Sequence, residues 1–156
     1  MRLTDAIAKL KAKINSETEI GPWLEMTQER INDFAKATGD FQWIHLDQKR
    51  AKAESPYGKT IAHGFLTLSL VHFLAGMVNE GKPPIPDAQR LINYGLNKVR
   101  FPSPVSPGEY IRACVEIISV KEVKGSLELI KKITIEIEKS EKPACVAEIV
   151  TRVYFN

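Results

Sequence analysis

Asp40 and His45 stand five positions apart in the stretch Thr38-Gly39-Asp40-Phe41-Gln42-Trp43-Ile44-His45-Leu46-Asp47. A carboxylate and an imidazole carried on one short loop can hold a single water molecule between them. A second segment, Tyr57-Gly58-Lys59-Thr60-Ile61-Ala62-His63-Gly64, leads into a long apolar run. The amide of Gly64, at the start of a helix, can polarise a carbonyl. No side chain blocks the approach there, and the helix dipole favours negative charge. These are the parts needed to add water to an activated double bond, or to remove it. An imidazole titrates near neutrality and suits either the base or the acid, whereas a donating carboxyl needs a raised pKa. Coupled groups share protons, so neither residue is assigned one role alone. The bland alternatives are that Asp40 caps backbone amides, His45 packs in a core and Gly64 only makes a turn.

Those residues must be positioned by their neighbours. Leu3, Ile7, Leu10 and Ile14 form one stripe of an amphipathic helix. Glu19 to Met26 reads as a short strand interrupted by Gly21-Pro22. Thr27 is an N-cap for a helix that buries Ile31, Phe34 and Ala35, with Glu29 in its first turn. Gly39 fits the position just past that helix, so Asp40 opens the loop behind it. Asp47 caps a short helix over Gln48 to Glu54, which Ser55-Pro56 ends. The run from Phe65 to Asn79 reads as a single apolar helix of about four turns, stopped by Gly81 and Pro83-Pro84.

Beyond Pro86 the chain turns to strands. Gln89–Phe101, Tyr110–Val120, Leu127–Glu138 and Ala144–Phe155 are the runs, and Ile133, Ile135 and Ile137 alternate with Thr134, Glu136 and Glu138. Lys124-Gly125-Ser126 and Ser140-Glu141-Lys142-Pro143 make the turns. One apolar helix followed by an antiparallel meander implies an α+β domain whose sheet wraps that helix. Wrapping leaves sheet edges and a helix flank uncovered, so two copies are expected to associate.

The 156 residues suit one domain with a substantial core. The net charge of +3 is scattered rather than gathered in a basic run, so nucleic acid is not an expected partner. The N-terminal residues lack the apolar core of a secretory signal, and a cytoplasmic location is expected. The apolar run from Phe65 to Val78 holds Thr67, Ser69 and His72 and is too short for a membrane span. Cys114 and Cys145 lie in strand-like segments and are expected to be reduced. His45, His63 and His72 have no recognisable metal-ligand spacing, so no metal is expected.

The segments Gly39 to Asp47 and Ile61-Ala62-His63-Gly64-Phe65-Leu66-Thr67-Leu68-Ser69-Leu70 resemble the MaoC-like dehydratase family, which includes the (R)-specific enoyl-CoA hydratases. The chain is similar to that family's nodulation-protein-N-like branch. Asp40 and His45 match the aspartate, four intervening residues and histidine of its hydratase motif. Asn93-Tyr94-Gly95 and Val99-Arg100-Phe101-Pro102, with Pro104-Val105 and Gly108, resemble its sheet-entering strand. The similarity runs from about Gly21 onward, so residues 1–15 would be a helical extension of one domain spanning 1–156.

The resemblance implies a hot dog fold, with the sheet wrapped around the Phe65–Asn79 helix. It implies (R)-specific hydration of trans-2-enoyl thioesters, or the reverse dehydration of 3-hydroxyacyl thioesters, with Asp40 and His45 acting on one water and Gly64 at the acyl oxygen. Coenzyme A or acyl carrier protein enters only as part of the substrate, with no other cofactor, and the site should lie near a homodimer interface. Gln42-Trp43 departs from the Asn-Pro of many hydratases, removing a fixed φ and adding bulk. Trp43 is then a candidate channel wall and His72, about two turns beyond Gly64, a candidate lining of the acyl pocket. Lys59, Lys98 and Arg100 are cations within reach of phosphates, none singled out. His63 is read as structural. A hot dog thioesterase and a non-catalytic acyl-thioester-binding or partner-binding subunit are the alternatives.

Overall fold

The computed structural model describes residues 3–16, 18–78, 81 and 84–155. The first helix, α1 (Leu3–Lys11), precedes two short strands, β1 (Glu19–Ile20) and β2 (Leu24–Glu25). Three helices follow: α2 (Gln28–Thr38), α3 (Trp43–Leu46) and α4 (Gln48–Glu54). The apolar run forms α5 (Gly64–Ser69) and α6 (Val71–Leu74). Four long strands end the chain: β3 (Arg90–Arg100), β4 (Tyr110–Val123), β5 (Ser126–Ile137) and β6 (Cys145–Tyr154).

All pairings in the sheet are antiparallel, in the order β1-β4-β5-β6-β3, with β2 also on β4. The β4–β5 hairpin turns through Lys124 and Gly125, both at positive φ (49° and 74°). A two-residue turn with that handedness matches the twist of its strands. Register shifts at Asn93/Gly95 and Leu96/Lys98 in β3, and at Ile117/Ser119 in β4, bend the sheet.

Alternation along the strands sets one face inward. Ile111, Ala113 and Val115 of β4, Ile133, Ile135 and Ile137 of β5, and Cys145, Ala147 and Ile149 of β6 pack with Leu66, Leu70, Val71 and Leu74. Farther along, Val120, Leu127, Leu129 and Val153 meet Ala6, Ile85 and the α1 stripe of Leu3, Ile7 and Leu10. The helical extension is therefore a second cover for the sheet. Cys114 and Cys145 are free thiols on strands separated by β5, and burial pushes the Cys145 thiol up to about 11.

The apolar run differs from the single four-turn helix expected. It breaks at Leu70, whose N–H is shared between the Leu66 and Thr67 carbonyls at 3.2 Å each. Ser69 Oγ donates to the Phe65 carbonyl at 2.6 Å, and such back-bonding bends a helix. The rod ends at Gly76 (φ 67°), where Gly76 N–H bonds Phe73 O and Met77 N–H bonds His72 O. That pair of bonds is a Schellman cap, which satisfies the last carbonyls well before Gly81. The anticipated end at Asn79, and Pro83 beyond it, lie outside the described residues. Among the described residues no helix is long and apolar enough to cross a membrane.

Gly21, between β1 and β2, lies against the end of α6. A β-carbon there would run into the Leu74 carbonyl oxygen, while the Gly21 N–H donates to Ala113 O at 2.9 Å. Gly21→Ala is therefore expected to destabilise the protein by about 1–3 kcal/mol, read as a lowered thermal midpoint against wild type.

Candidate active site

The site grows from the C-terminus of α2. Thr27 caps that helix, its Oγ1 accepting from Arg30 N–H at 3.1 Å. Gly39, left-handed at φ 78°, ends it with an N–H bonded to Ala35 O at 2.8 Å. Asp40 follows, solvent-exposed, with Gln42 N–H 3.4 Å from its Oδ1. His45 does not share that loop. It rides on the single turn of α3, between the Asp40 loop and the Asp47 cap, where Arg50 N–H lies 2.9 Å from Asp47 Oδ1.

The His45 side chain is buried, 6 % exposed. Its Nδ1 is 2.7 Å from the Ile61 carbonyl oxygen. A carbonyl can only accept, so Nδ1–H donates and the neutral ring keeps its lone pair on Nε2. Ile61 N–H in turn donates to Ile44 O at 3.0 Å, tying the segment after Gly58 to α3. Burial holds the His45 pKa below its ordinary 6.5; the Ile61 bond opposes this, nearby His63 reinforces it, and Asp40 opposes it. His45 is accordingly neutral at pH 7, as a proton acceptor requires.

His63 joins the parts. Its Nε2–H donates to the Asp40 backbone oxygen at 3.0 Å. Its ring stacks on His45 with centroids 3.8 Å apart and planes 26° apart, and Phe34 leans on it at 4.9 Å. The His63 Nδ1 is buried and has no hydrogen-bond partner among the described residues. One Asp40 carboxylate oxygen and one ring nitrogen from each histidine all lie within 4.8 Å of one another. Two hydrogen bonds of about 2.8 Å meeting at a water molecule's tetrahedral angle span about 4.6 Å, which is within that limit. Although the three residues are close enough to suggest an ion, near-parallel stacked rings cannot both aim in-plane lone pairs at one metal. His72, the third histidine of the chain, is not in this cluster.

Behind the rings stands Gln28, the first residue of α2. Its Nε2 donates to the His45 carbonyl at 2.8 Å, and its Oε1 accepts from Thr60 Oγ1 at 2.6 Å. Gly64 follows His63 directly and opens α5. Among the described residues nothing accepts its N–H. A β-carbon on Gly64 would press the Phe101 ring at 3.1 Å, so packing as well as an open amide favours glycine. Gly64 lines a cavity of about 230 Å³ with Tyr57, Ile61, Thr67, Phe101 and Val105.

The structure thus gathers Asp40, His45 and Gly64 around His63. Trp43 heads the helix that carries His45, but the Arg50 guanidinium lies over its ring at 4.2 Å and it does not line the Gly64 cavity. His72 lies in a neighbouring depression of about 410 Å³ with Leu68, Val71 and Leu96, its Nε2 2.6 Å from Asn93 Oδ1. Sequence reasoning missed the clamping part of His63 and the brace of Gln28. The His63-Gly64 pair at a helix start was a signal for the first; a glutamine in a first helical turn signals nothing by itself.

An antiparallel sheet around a central helix is the hot dog architecture. The chain belongs to the MaoC-like dehydratase family: the model of the MaoC like domain matches residues 9–139. It is 44% identical over 153 residues to 3-hydroxyacyl-thioester dehydratase Z of Mycobacterium tuberculosis, covering 97% of this chain and 98% of that one. It is 39% identical over 153 residues to nodulation protein N of Rhizobium leguminosarum bv. viciae, covering 97% and 92%. The fold is shared with an R-hydratase of Pseudomonas aeruginosa at a TM-score of 0.65 and 20% identity, over 90% of this chain and 83% of that one.

The depressed His45 pKa has a thermodynamic consequence. Between the folded value and 6.5 the unfolded chain binds the proton and the folded chain does not, so stability falls as pH drops through that window. Nuclear magnetic resonance titration of the His45 ring is expected to give a midpoint below 6.5, and His45→Gln is expected to flatten the pH dependence of unfolding in that window.

Proposed function

We propose that this protein hydrates trans-2-enoyl thioesters to (3R)-3-hydroxyacyl thioesters and catalyses the reverse dehydration. The carrying observation is that an Asp40 carboxylate oxygen and a ring nitrogen of buried His45 lie within 4.8 Å of one another, and that His63, which shares that cluster, is followed directly by the helix start at Gly64. In hydration, the water oxygen attacks C3 as the acid–imidazole pair takes one of its protons. Electron density moves to the thioester oxygen, where the Gly64 N–H stabilises the developing enolate. The pair returns a proton to C2 and ends as it began. Dehydration runs the same steps backward: the pair removes the C2 proton, and the hydroxyl leaves C3 as water. A thioester is suited to this because it acidifies C2 and holds charge on its oxygen. This polar addition calls on no metal, flavin or nicotinamide.

The relatedness to a 3-hydroxyacyl-thioester dehydratase along almost the whole chain supports this reading. So does the tautomer of His45, which leaves Nε2 free to accept a proton. The unpaired cysteines suit a reducing cytoplasm.

The acting form in this proposal is a homodimer. β3 is an edge strand, and Ile92, Tyr94 and Leu96 on it are exposed. Phe65, beside Gly64, is 70 % exposed. A second copy pairing along β3 would extend the sheet and dry the flank on which the acyl group lies.

Three experiments test these statements. With crotonyl-CoA, enoyl absorbance is expected to fall without release of free thiol, whereas thiol release would indicate a thioesterase. Asp40→Asn and His45→Gln are each expected to lower turnover by at least ~100-fold with the fold retained; a near-normal rate in either removes that residue from the mechanism. In light scattering coupled to size exclusion, wild type is expected to run at twice the chain mass and Leu96→Lys at the chain mass.

A further inference from the structure

The main chain of His45 is held by a side chain from another element. In the turn of α3, His45 N–H donates to Gln42 O at 3.1 Å, Asp47 N–H to Trp43 O at 2.9 Å and Ile61 N–H to Ile44 O at 3.0 Å. Among the described residues no backbone N–H reaches the His45 carbonyl. The Gln28 amide does, at 2.8 Å. We propose that Gln28, oriented by Thr60, is a positioning residue for the reaction: it latches the α3 turn and so sets the His45 imidazole against Asp40. The role in turnover rests on the hydratase reading above.

Three observations carry the assignment. First, α3 has only four residues, Trp43–Leu46. A single turn is not stable alone, and its last carbonyls have no partner inside it. The place of the His45 ring therefore depends on bonds from outside. Ile61 supplies them on one side, through the ring and through Ile44, and Gln28 supplies the other.

Second, the Gln28 amide can be set only one way. A carbonyl oxygen only accepts, so the group facing His45 O is the NH2. Its other hydrogen bond goes to Asn32 Oδ1 at 2.9 Å, one turn along α2. The Oε1 is left to accept from the Thr60 hydroxyl at 2.6 Å. Thr60 is 2 % exposed, so loss of this partner would leave a buried hydroxyl unsatisfied. Glutamate at this position would set oxygen against oxygen, and asparagine would stop a methylene short.

Third, the bonds close a circuit. Thr27 caps α2 just before Gln28, Gln28 holds Thr60, and the next residue, Ile61, holds both Ile44 and the His45 ring. The bonds of Gln28 end on main chain, on Asn32 and on Thr60, and none ends on the Asp40 carboxylate or an imidazole nitrogen. Its loss changes where His45 stands, so the effect falls on kcat and spares KM.

With crotonyl-CoA, Gln28→Met is expected to lower kcat at least about tenfold while KM stays within about twofold. Thr60→Val keeps the shape and drops the hydroxyl, and it is expected to lower kcat as well, whereas Thr60→Ser retains it. Thr60→Val added to Gln28→Met is expected to cost nothing more, because Thr60 acts through Gln28. An unchanged kcat in Gln28→Met, a raised KM with kcat retained, equal losses in Thr60→Val and Thr60→Ser, or additive losses each overturn the proposal. Gly21→Ala controls for stability: if it loses as much kcat for the same fall in thermal midpoint, the proposal fails. If wild type turns over no enoyl thioester, the hydratase reading falls and the His45 titration decides the latch. Asp40 and His63, the titratable groups that face His45, are present in both proteins. A His45 midpoint that moves up toward 6.5 in Gln28→Met supports the latch, and an unmoved one rejects it.

Discussion

A stacked pair of histidines holds this site together. His63 presses its ring on His45 and donates to the Asp40 backbone oxygen, so one side chain contacts both members of the proposed reacting pair. Neither contact is available within the segment that carries Asp40 and His45. It arrives from the residues just before α5, and that segment is itself bound back through Ile61 to Ile44 and to the His45 ring. The two segments therefore constrain each other. The helix α5 then leaves from the same point, with its first amide next to His63 in the chain.

The electrostatic state of His45 follows from that architecture. Burial disfavours the imidazolium, and the Ile61 carbonyl selects the tautomer. Asp40 remains at the surface while its partner lies inside, so the pair spans the boundary between solvent and protein. Gln28 and Thr60 brace this arrangement from behind.

The sheet supplies the rigid backing, and its edge supplies an opening. The inward residues of β4, β5 and β6 give α5 and α6 a close-packed floor, while α1 covers the other end of the same face. Bulges curve β3, which among the described residues pairs only with β6 and leaves apolar side chains exposed. Tyr94 and Leu96 among them share a depression with Leu68, Val71 and His72, and nearer Gly64 Phe65 meets Phe101 edge-on at 6.1 Å.

Local chemistry along the chain determined a good deal by itself. Thr27, Gly39 and Asp47 placed the helix ends on either side of the site, because caps act through bonds to residues only two to four positions away. Alternation of isoleucine with polar residues placed the strands, and the aspartate–histidine spacing singled out two residues that the fold brings together. Tertiary structure decided the rest. The break at Leu70 and the end at Gly76 came from competing bonds that an apolar periodicity does not encode. The turn of α3 under His45, the clamp by His63 and the brace by Gln28 depend on contacts between residues 16 to 23 positions apart. Such contacts exist only once the sheet and the helix it cradles have brought distant segments side by side.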